Sequence, residues 1–482
     1  MKISKILALM LFVLMTKEPA FSLSGPYLGE PAPGLQAEIF APGIVSVNGR
    51  MEDCVTFTPD GLECGVGIIS GNDCRIHYMR QEEGQWTNLT RAYFRSGAAW
   101  TFQFTPDGLG LVFISSQNSP DIWMYERERI TDNWSTPFRL GTPVSLSSSN
   151  EWAPSMTLDK TLYFVSGGRA GGRGHNDLYR APYNDGQYTS VENLGSPINT
   201  SSGEQSSFVA ADESFILFCR NGTSGYNDDK DIFISLHNSD DTWTVPSNLG
   251  PEVNTNLHER CPYVTIDNKY LFFTRRSGNT ANIYWIETRI FLPDPNGPIE
   301  NLSSGQRFGS IQCAINYANS GDTIVLQPGI YHENVNLNSK NIILQSVDPN
   351  SSFYIGGTIL NGDSANSSVI TLQENSETCE IAGLTIRSGL IGIKGIATNA
   401  TIRNCRIIDN TNHGLELLRG SNSRLQNCLI TSNGQTGITM LTGPGRSSPL
   451  CAPLIENCVI VQNGSENIVG GEPVIIDSIV SQ

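Results

Sequence analysis

Four glutamates and three arginines recur at corresponding places in the N-terminal part of the chain and could form one charged site. Each glutamate stands eight residues before an aspartate in a turn-forming stretch. Each arginine follows the apolar run after that turn. Carboxylates and guanidinium groups that meet at one point can bind a sugar, a peptide or a metal, or can form structural ion pairs. The residues are Glu52, Glu151, Glu204, Glu259, Arg169, Arg220 and Arg275, with His258 and Arg260 beside the last glutamate.

The elements that must position these residues belong to a motif that returns five times between residues 52 and 290. Its turn is best seen in Thr-Pro-Asp-Gly, where proline and glycine supply the dihedral angles of a tight reversal. An aromatic segment, a segment that begins with Asp or Asn, and a closing Leu-Gly follow. A period near 50 residues with four short strands per unit is typical of a β-propeller. The turn aspartates are Asp60, Asp107, Asp159, Asp212 and Asp267.

The two ends of this repeat region complement each other. After Tyr284 the fifth unit has no fourth segment, whereas residues 38–46 form an apolar stretch that belongs to no unit. We predict that this N-terminal strand completes the last blade, because closure removes exposed sheet edges. The predicted fold is therefore all-β, with a five-bladed propeller, or a six-bladed one if residues 286–304 contribute another blade.

These motifs resemble the WD40-like PD40 repeats of the TolB type over roughly residues 28–290. The resemblance implies a propeller. It leaves function open, since such repeats occur in binding proteins, periplasmic scaffolds and a few enzymes.

In a propeller the first strand of each blade lines the central channel. The four glutamates should therefore crowd one mouth of that channel, beside the three arginines, His258 and Arg260. One interpretation is a ring of ion pairs that holds adjacent blades together. The other is a polar mouth that binds a ligand. We favour the ion pairs, because a residue that recurs with the repeat usually serves the blade.

A second kind of repeat follows a polar linker. Residues 308–318 are predicted to form a short amphipathic helix, and apolar rungs then recur at offsets of 21, 23, 30 and 20 residues. This is the coil length of a short right-handed parallel β-helix. The third position of each rung favours a left-handed bend, and an inward side chain follows it. The bends are Gly383, Asn404, Asn427, Asn457 and Asp477, and the inward side chains are Leu384, Cys405, Cys428, Cys458 and Ser478.

Residues 307–335 resemble the N-terminal cap and first coil of pectin-lyase-like β-helix proteins, which include carbohydrate-binding proteins and sugar hydrolases. The acid, arginine and histidine clusters of those enzymes have no counterpart at the matching positions. Asp363, Asp409 and Asp477 fall on different turns, and His413 is predicted to stand alone in a loop. The chain ends inside the last rung at Gln482, which we interpret as a truncated β-helix with an open strand edge.

The N-terminus predicts export to the periplasm or the extracellular space. Lys2 and Lys5 precede an apolar run over residues 6–15 that is too short to span a bilayer, and small residues around Ser22 suit cleavage. An uncleaved anchor is the alternative. No later segment reaches transmembrane length. The formal net charge of −16 argues against a nucleic-acid partner, since no basic stripe could neutralise phosphates.

Eleven cysteines raise the question of disulfides and metals. A Cys54–Cys64 bridge is geometrically possible, whereas Cys405, Cys428 and Cys458 should stack as small buried side chains. The chain has no CxxC pair and no Cys/His spacing typical of zinc, so no cofactor is predicted.

Two loops could be taken for ligand sites. Residues 226–231 hold three acids and raise calcium as a metal candidate, but they lack the glycine and the distal glutamate of an EF-hand, which favours a solvated turn. The glycine-rich residues 167–174 are predicted to be an inter-strand loop and not a phosphate loop, because no Lys-Ser/Thr follows.

The sequence leaves two functions open. The leading hypothesis is an exported bacterial binding or scaffold protein without catalysis, whose ligand is an extracellular glycan or a cell-envelope protein. The rival is a polysaccharide-active lyase or hydrolase that uses the channel mouth or the β-helix groove. The predicted segments are a signal peptide (1–22), the propeller (23–290), a linker (291–304) and the β-helix (305–482).

Overall fold

The computed structural model describes residues 23–481 except 72, 93–98, 116–119, 222–229, 239, 363–365, 377 and 442–448. The predicted signal peptide lies outside the described residues. The chain divides into two compact units, the first ending at Ile286 and the second beginning at Glu287. The predicted linker therefore falls in the second unit, where Ile299–Asn301 form a strand. Among the described residues, no helix is long and apolar enough to cross a membrane.

By their antiparallel pairing, the described strands of the first unit form five groups of four, which we call sheets; single parallel bridges, Lys230 with His258 and Met51 with Ala281, join the fourth, fifth and first of them. The first sheet has Met51–Phe57, Glu63–Ser70, Asp73–Glu82 and Thr90–Arg91, and the second has Ala99–Phe104, Gly110–Ser115, Asp121–Glu126 and Phe138–Arg139. The third has Asn150–Met156, Leu162–Gly167, Asp177–Ala181 and Glu192–Asn193, and the fourth has Gln205–Val209, Phe215–Asn221, Lys230–Leu236 and Ser247–Asn248. The fifth has His258–Val264, Tyr270–Ser277, Thr280–Glu287 and Glu38–Ile39.

Three short features complete the first unit. The strand Gln85–Trp86 pairs antiparallel with the end of the third strand of the first sheet, and Tyr183–Asn184 and Gln187–Tyr188 form a separate hairpin. A 3-10 turn spans Pro26–Gly29.

The predicted N-terminal strand does complete the fifth sheet. Glu38 pairs with Trp285 and Ile39 with Tyr284, antiparallel, and the Phe40 amide donates to the Ile283 carbonyl at 2.9 Å. The first strands of successive sheets lie against one another, and that of the fifth returns to that of the first. The sheets thus form a closed propeller ring, whose first strands surround the channel.

The recurring aspartates hold the turns after the first strands. The Thr58 hydroxyl donates to Asp60 Oδ1 at 2.6 Å, and the Leu62 amide donates to the same oxygen at 3.0 Å. This Asx-turn replaces backbone hydrogen bonds that the reversal cannot make. The bond from the amide two residues after the aspartate recurs at Asp107, Asp159, Asp212 and Asp267.

The second unit is a parallel β-helix of three sheets. One contains Thr323–Leu326, Ile343–Ser346, Glu380–Ala382, Thr401–Arg403, Arg424–Gln426, Leu454–Glu456 and Val474–Ile476, preceded by antiparallel Ile299–Asn301 and Arg307–Phe308. The next contains Gly329–His332, Thr358–Asn361, Thr385–Arg387, Arg406–Ile408, Leu429–Thr431, Val459–Val461 and Ile479–Ser481. The last contains Val335–Asn336, Ser368–Gln373, Ile391–Ile396, His413–Leu418, Thr436–Leu441 and Glu466–Val469.

The bend ladder of the β-helix is confirmed. All five predicted bend residues have positive φ, between 45° at Asp477 and 68° at Gly383. The side chains that follow the first four bends are buried. The amphipathic helix predicted for residues 308–318 spans Ile311–Tyr317. It begins at Ile311 because Ser310 caps it by accepting a hydrogen bond from the Cys313 amide. A second short helix spans Ser352–Gly357, and a 3-10 turn spans Thr288–Ile290.

Candidate functional site

The four predicted glutamates are completely buried, and each is paired with an arginine of its own sheet or of the segment that leads into it. In the third sheet, Arg169 Nη2 lies 3.0 Å from Glu151 Oε1. In the fifth, Arg275 Nε lies 2.7 Å from Glu259 Oε1. The pairs Arg220–Glu204, at 3.4 Å, and Arg50–Glu52, at 2.6 Å, complete the set.

Each arginine also holds the connection that enters its sheet. Arg275 Nη2 donates to the Val253 carbonyl at 2.8 Å, and Arg220 Nη2 donates to the Ile198 carbonyl at 2.7 Å. The next residue in each connection is an asparagine, Asn254 or Asn199. Its side chain forms hydrogen bonds with the backbone of the third strand of the preceding sheet. The arginine thereby ties the connection between two blades to a buried glutamate.

The guanidinium groups of three of these arginines stack on aromatic rings. Arg169 lies 5.1 Å from the ring centre of Phe164 and 5.6 Å from that of Tyr179. Arg220 and Arg275 lie over corresponding ring pairs in their own sheets. Guanidinium groups that stack on aromatic faces and bind carbonyls are fixed in position. These charged residues therefore have structural partners.

Burial sets the electrostatics of the glutamates. It raises the pKa of Glu52, Glu151 and Glu204, against the opposing effect of their hydrogen bonds and arginines. Oε2 of Glu52 and of Glu151 is buried without a hydrogen-bond partner among the described residues. Both side chains are 0% exposed, so these carboxylates are not open to a ligand.

The other predicted members of the site lie apart from these pairs. His258 begins the first strand of the fifth sheet, opposite Arg276 and beside Lys230. Arg260 pairs with Asp53, not with a glutamate, and its Nη2 lies 2.5 Å from Asp53 Oδ1. Sequence reasoning missed Arg50, because it precedes its glutamate by two residues and so breaks the pattern of the other arginines.

A cavity of about 200 Å³ opens at the other end of the channel, where the first strands finish and the aspartate turns begin. We call it the turn-face pocket. Leu158 and Ile266, at its rim, are 60% and 36% exposed. All five sheets contribute to its lining, through Phe57, Phe104, Met156, Phe208 and Tyr263. The sequence does not reveal this pocket, because it forms only where the ends of the five first strands meet in the fold.

Gln103 differs from the other polar residues that line this pocket, which are Thr105, Asp212, Thr265 and Asn268, because it lies within a first strand. At the equivalent position of two other blades, Thr56 Oγ1 and Ser155 Oγ accept backbone hydrogen bonds from the neighbouring first strand, at 3.1 and 2.9 Å. The Oε1 atom of Gln103 is buried and has no such partner among the described residues. A buried acceptor without a donor costs about 1–3 kcal/mol, which a ligand donor would recover.

Between its two ends the channel is nearly closed. Every first strand changes register at the same point, and the bulge turns a small side chain towards the axis. The remaining cavity is about 30 Å³. The bulge side chains are Cys54, Thr101, Ala153, Ser206 and Cys261.

The glycine-rich and acidic loops, residues 167–174 and 226–231, are the two that could be taken for ligand sites from the sequence. The backbone amides of Arg173 and Gly174, in the glycine-rich loop, donate to Asp177 at 2.6 and 3.3 Å, so this inter-strand loop binds the chain's own carboxylate. Residues 226–229 of the acidic loop lie outside the described residues. Asp231 accepts a hydrogen bond from Asn248 Nδ2 at 2.7 Å.

The β-helix candidates fall on turns and in a strand. Asp363 lies outside the described residues, and Asp409 and Asp477 occupy left-handed turn positions. The prediction that His413 stands alone in a loop is wrong. It begins the strand His413–Leu418, and parallel pairing places its Nδ1 2.6 Å from Thr436 Oγ1. Burial lowers the pKa of His413, with Glu416 acting in the opposite direction.

The cysteines are free and buried throughout, so the Cys54–Cys64 bridge does not form. Cys405, Cys428 and Cys458 stack as predicted, and the Cys428 amide donates to Cys458 Sγ at 3.4 Å.

Comparison with known proteins separates the two units. The family model of the right-handed β-helix region matches residues 329–472. No curated protein sequence matches the chain.

Several solved propeller-like and related structures are similar to part of the chain. TolB from Acinetobacter baumannii is 18% identical, with a TM-score of 0.33, over 50% of this chain and 52% of TolB. An oligogalacturonate lyase in complex with manganese is 12% identical, with a TM-score of 0.30, over 50% of this chain and 66% of the lyase. A GH62 hydrolase in complex with xylotriose is 9% identical, with a TM-score of 0.32, over 50% of this chain and 91% of the hydrolase. The chain thus spans about half the length of TolB, and the matching family model covers a part of the second unit.

Proposed function

We propose that this chain is an exported, non-catalytic binding protein of the PD40, TolB-like type, which holds a segment of a cell-envelope protein in the turn-face pocket. The observation that carries the proposal is a cavity built by all five sheets around an unsatisfied acceptor. The charged mouth at the other end is a weaker candidate, because its glutamates and arginines already have partners within the fold.

The chemistry of the pocket favours a protein segment over a glycan. Apolar residues line the pocket beside a few polar ones, and its aromatic rings are largely buried, as at Phe57, Phe208 and Tyr263, so the rings present no open face for a sugar to stack on. An apolar side chain with one nearby N–H donor would match both the walls and Gln103 Oε1.

The size of the pocket supports one anchored side chain. At about 200 Å³ the cavity is smaller than the roughly 300–1,000 Å³ of typical small-molecule sites. Buried apolar anchors surrounded by weaker contacts carry much of the affinity in protein interfaces. We therefore expect an extended segment to insert one Leu, Phe or Trp and to lie across the rim near Leu158.

The test uses two probe sets on the same protein. An array of extended peptides, each with one central Leu, Phe, Trp or Ala, is screened beside a glycan array, with and without calcium. We expect binding to peptides with an apolar centre, and a Kd weakened at least tenfold when the centre is Ala.

Two variants locate the site. Leu158→Asp places a carboxylate at the pocket rim and should abolish binding of the selected peptide. Val245→Asp changes an apolar residue that is 78% exposed and lies outside the pocket, and it should leave binding unchanged. Both residues are exposed, so neither change should unfold the protein. Glycan binding that survives Leu158→Asp would contradict the proposal.

A further inference from the structure

Three potential metal ligands meet where the propeller ring closes. Asp53 and Cys54 lie in the first strand of the first sheet, and Cys261 lies in the first strand of the fifth. The carboxylate oxygen and the two sulfurs all lie within 4.8 Å of one another, and all three residues are buried. They are far apart in sequence, which explains why no metal-ligand spacing marks them.

The fold brings the two sulfurs together by repetition. Cys54 and Cys261 occupy the same place in their repeats, six residues before the turn aspartate, and both lie at the bulge that faces the channel. The other blades have Thr101, Ala153 and Ser206 there. The two cysteines therefore face one another only because the fifth sheet closes against the first.

Space for one further ligand of an ion adjoins these sulfurs. The 30 Å³ channel cavity is lined by Cys54 and Cys261, and it offers about the volume of one water molecule. Zinc sites with three protein ligands commonly take a water as the fourth. Tetrahedral Zn–S bonds of about 2.3 Å place two sulfurs roughly 3.8 Å apart, which the observed limit of 4.8 Å accommodates.

Charge in the cluster also suits a divalent cation. Two thiolates and the Asp53 carboxylate carry three negative charges, and Arg260 Nη2, 2.5 Å from Asp53 Oδ1, compensates one of them. A divalent ion would neutralise the rest. Arg260 Nε is buried without a hydrogen-bond acceptor among the described residues, and thiolates or a metal-bound water would supply one.

We propose that Asp53, Cys54 and Cys261 bind a zinc ion, with water in the channel cavity as the fourth ligand. The ion joins the first and fifth sheets at the closure of the ring. Because none of the three residues lines the turn-face pocket, this site does not depend on the proposed peptide binding.

The experiment uses the whole protein, purified under reducing conditions and freed of metal with a chelator. Native mass spectrometry after addition of Zn²⁺ should show one ion per chain, and the melting temperature should rise as bound metal stabilises the folded state. Co²⁺ in place of Zn²⁺ should give a thiolate-to-metal absorption band. X-ray absorption of the unmodified protein should report two sulfur ligands and two oxygen ligands.

Cysteine variants assign the ligands. Cys261→Ser should abolish the cobalt–thiolate band or reduce it by about half, and Cys54→Ser should do the same. Cys64→Ser is the matched control, because Cys64 is equally buried in the first sheet but lies outside the cluster, and it should keep the full band.

Three results would overturn the proposal. One is the absence of stoichiometric binding by the reduced protein. Another is a metal environment of oxygen and nitrogen only, which the wild-type protein alone can reveal even if a variant fails to fold. The third is a Cys54–Cys261 disulfide in the protein as first purified, since oxidised sulfurs cannot serve as thiolate ligands.

Discussion

The propeller repeats its unit around an axis, whereas the β-helix repeats its unit along one. In the β-helix, equivalent residues stack: the Asn457 side-chain amide donates to Asn427 at 2.9 Å, and that of Asn427 donates to Asn404 at 3.0 Å. In the propeller, equivalent residues of the first strands face a common channel. Identical residues suit a stack, because each side chain forms a hydrogen bond with the equivalent side chain of the next coil. Identical side chains around a channel compete instead for the same space at the axis.

The arrangement of repeats around a channel indicates which propeller residues can form a binding site. The propeller residues that recur, such as the glutamate and arginine of each pair, find their partners within or directly beside their own sheet. The candidate sites use residues that break the repeat: Gln103 in the turn-face pocket, and Cys54 and Cys261 in the channel. In a ring of repeats, the exceptions are therefore the better guide to binding.

The largest expected effect tests the closure of the ring. Deletion of residues 23–48 removes the strand Glu38–Ile39 and the fully buried Phe40, whose ring packs edge-on against Phe57, Phe272 and Trp285. Loss of one such aromatic side chain alone costs about 3–5 kcal/mol. Calorimetry should show that the first unit no longer unfolds cooperatively. An unchanged melting curve would rule out closure by this strand.

The next effect tests whether the charged pairs are structural. Arg220→Ala leaves the buried Glu204 without its cation and frees the Ile198 carbonyl, so we expect a loss of about 3–5 kcal/mol in the free energy of unfolding. Arg180→Ala is the control, since Arg180 pairs with the exposed Asp241. Denaturant titrations measure both. A stable Arg220 variant would instead favour a role in binding.

The sequence predicted the elements better than the sites. The turn aspartates, the complementary ends of the repeat region and the bends of the β-helix each follow from local backbone requirements, which recur wherever the fold recurs. Arg50 could not be predicted, because its position in the chain differs from that of the other arginines while its place beside Glu52 is the same. The pocket and the Cys54–Cys261 pair depend on contacts between distant blades, and no spacing records them.

A smaller effect tests the stack of the β-helix. Cys428 is 2% exposed and its Sγ lies 3.4 Å from the Ile402 carbonyl. Cys428→Ser should cost about 1–3 kcal/mol, because a hydroxyl is buried in an apolar ladder. Thiol reagents should leave Cys405, Cys428 and Cys458 unmodified in the folded protein and should modify them after denaturation. A disulfide at any of them would exclude the stack.

The smallest effect concerns a surface contact between the third and fourth sheets. Asp241 accepts hydrogen bonds from Arg180 and, with a smaller effect, from His237. They lower the pKa of Asp241 from 3.8 to about 2. The pKa of Asp241 is lower in the folded protein than in the unfolded one. The contact therefore stabilises the fold fully above pH 3.8, and this stabilisation is lost as the pH falls through about 2. Asp241→Asn should therefore lower stability by no more than about 1 kcal/mol at pH 7. Melts across this pH range should show the difference from wild type vanish in acid, and a difference that persists there would contradict the assignment.

The central claim is that the repeated charges serve the fold while the turn-face pocket binds the partner. The most direct test measures the melting temperature and the Kd for the selected peptide in the Glu204→Gln and Leu158→Asp variants. The account predicts that Glu204→Gln lowers the melting temperature with an unchanged Kd, and that Leu158→Asp abolishes binding with an unchanged melting temperature. The reverse pattern, with binding lost in Glu204→Gln and retained in Leu158→Asp, would contradict it.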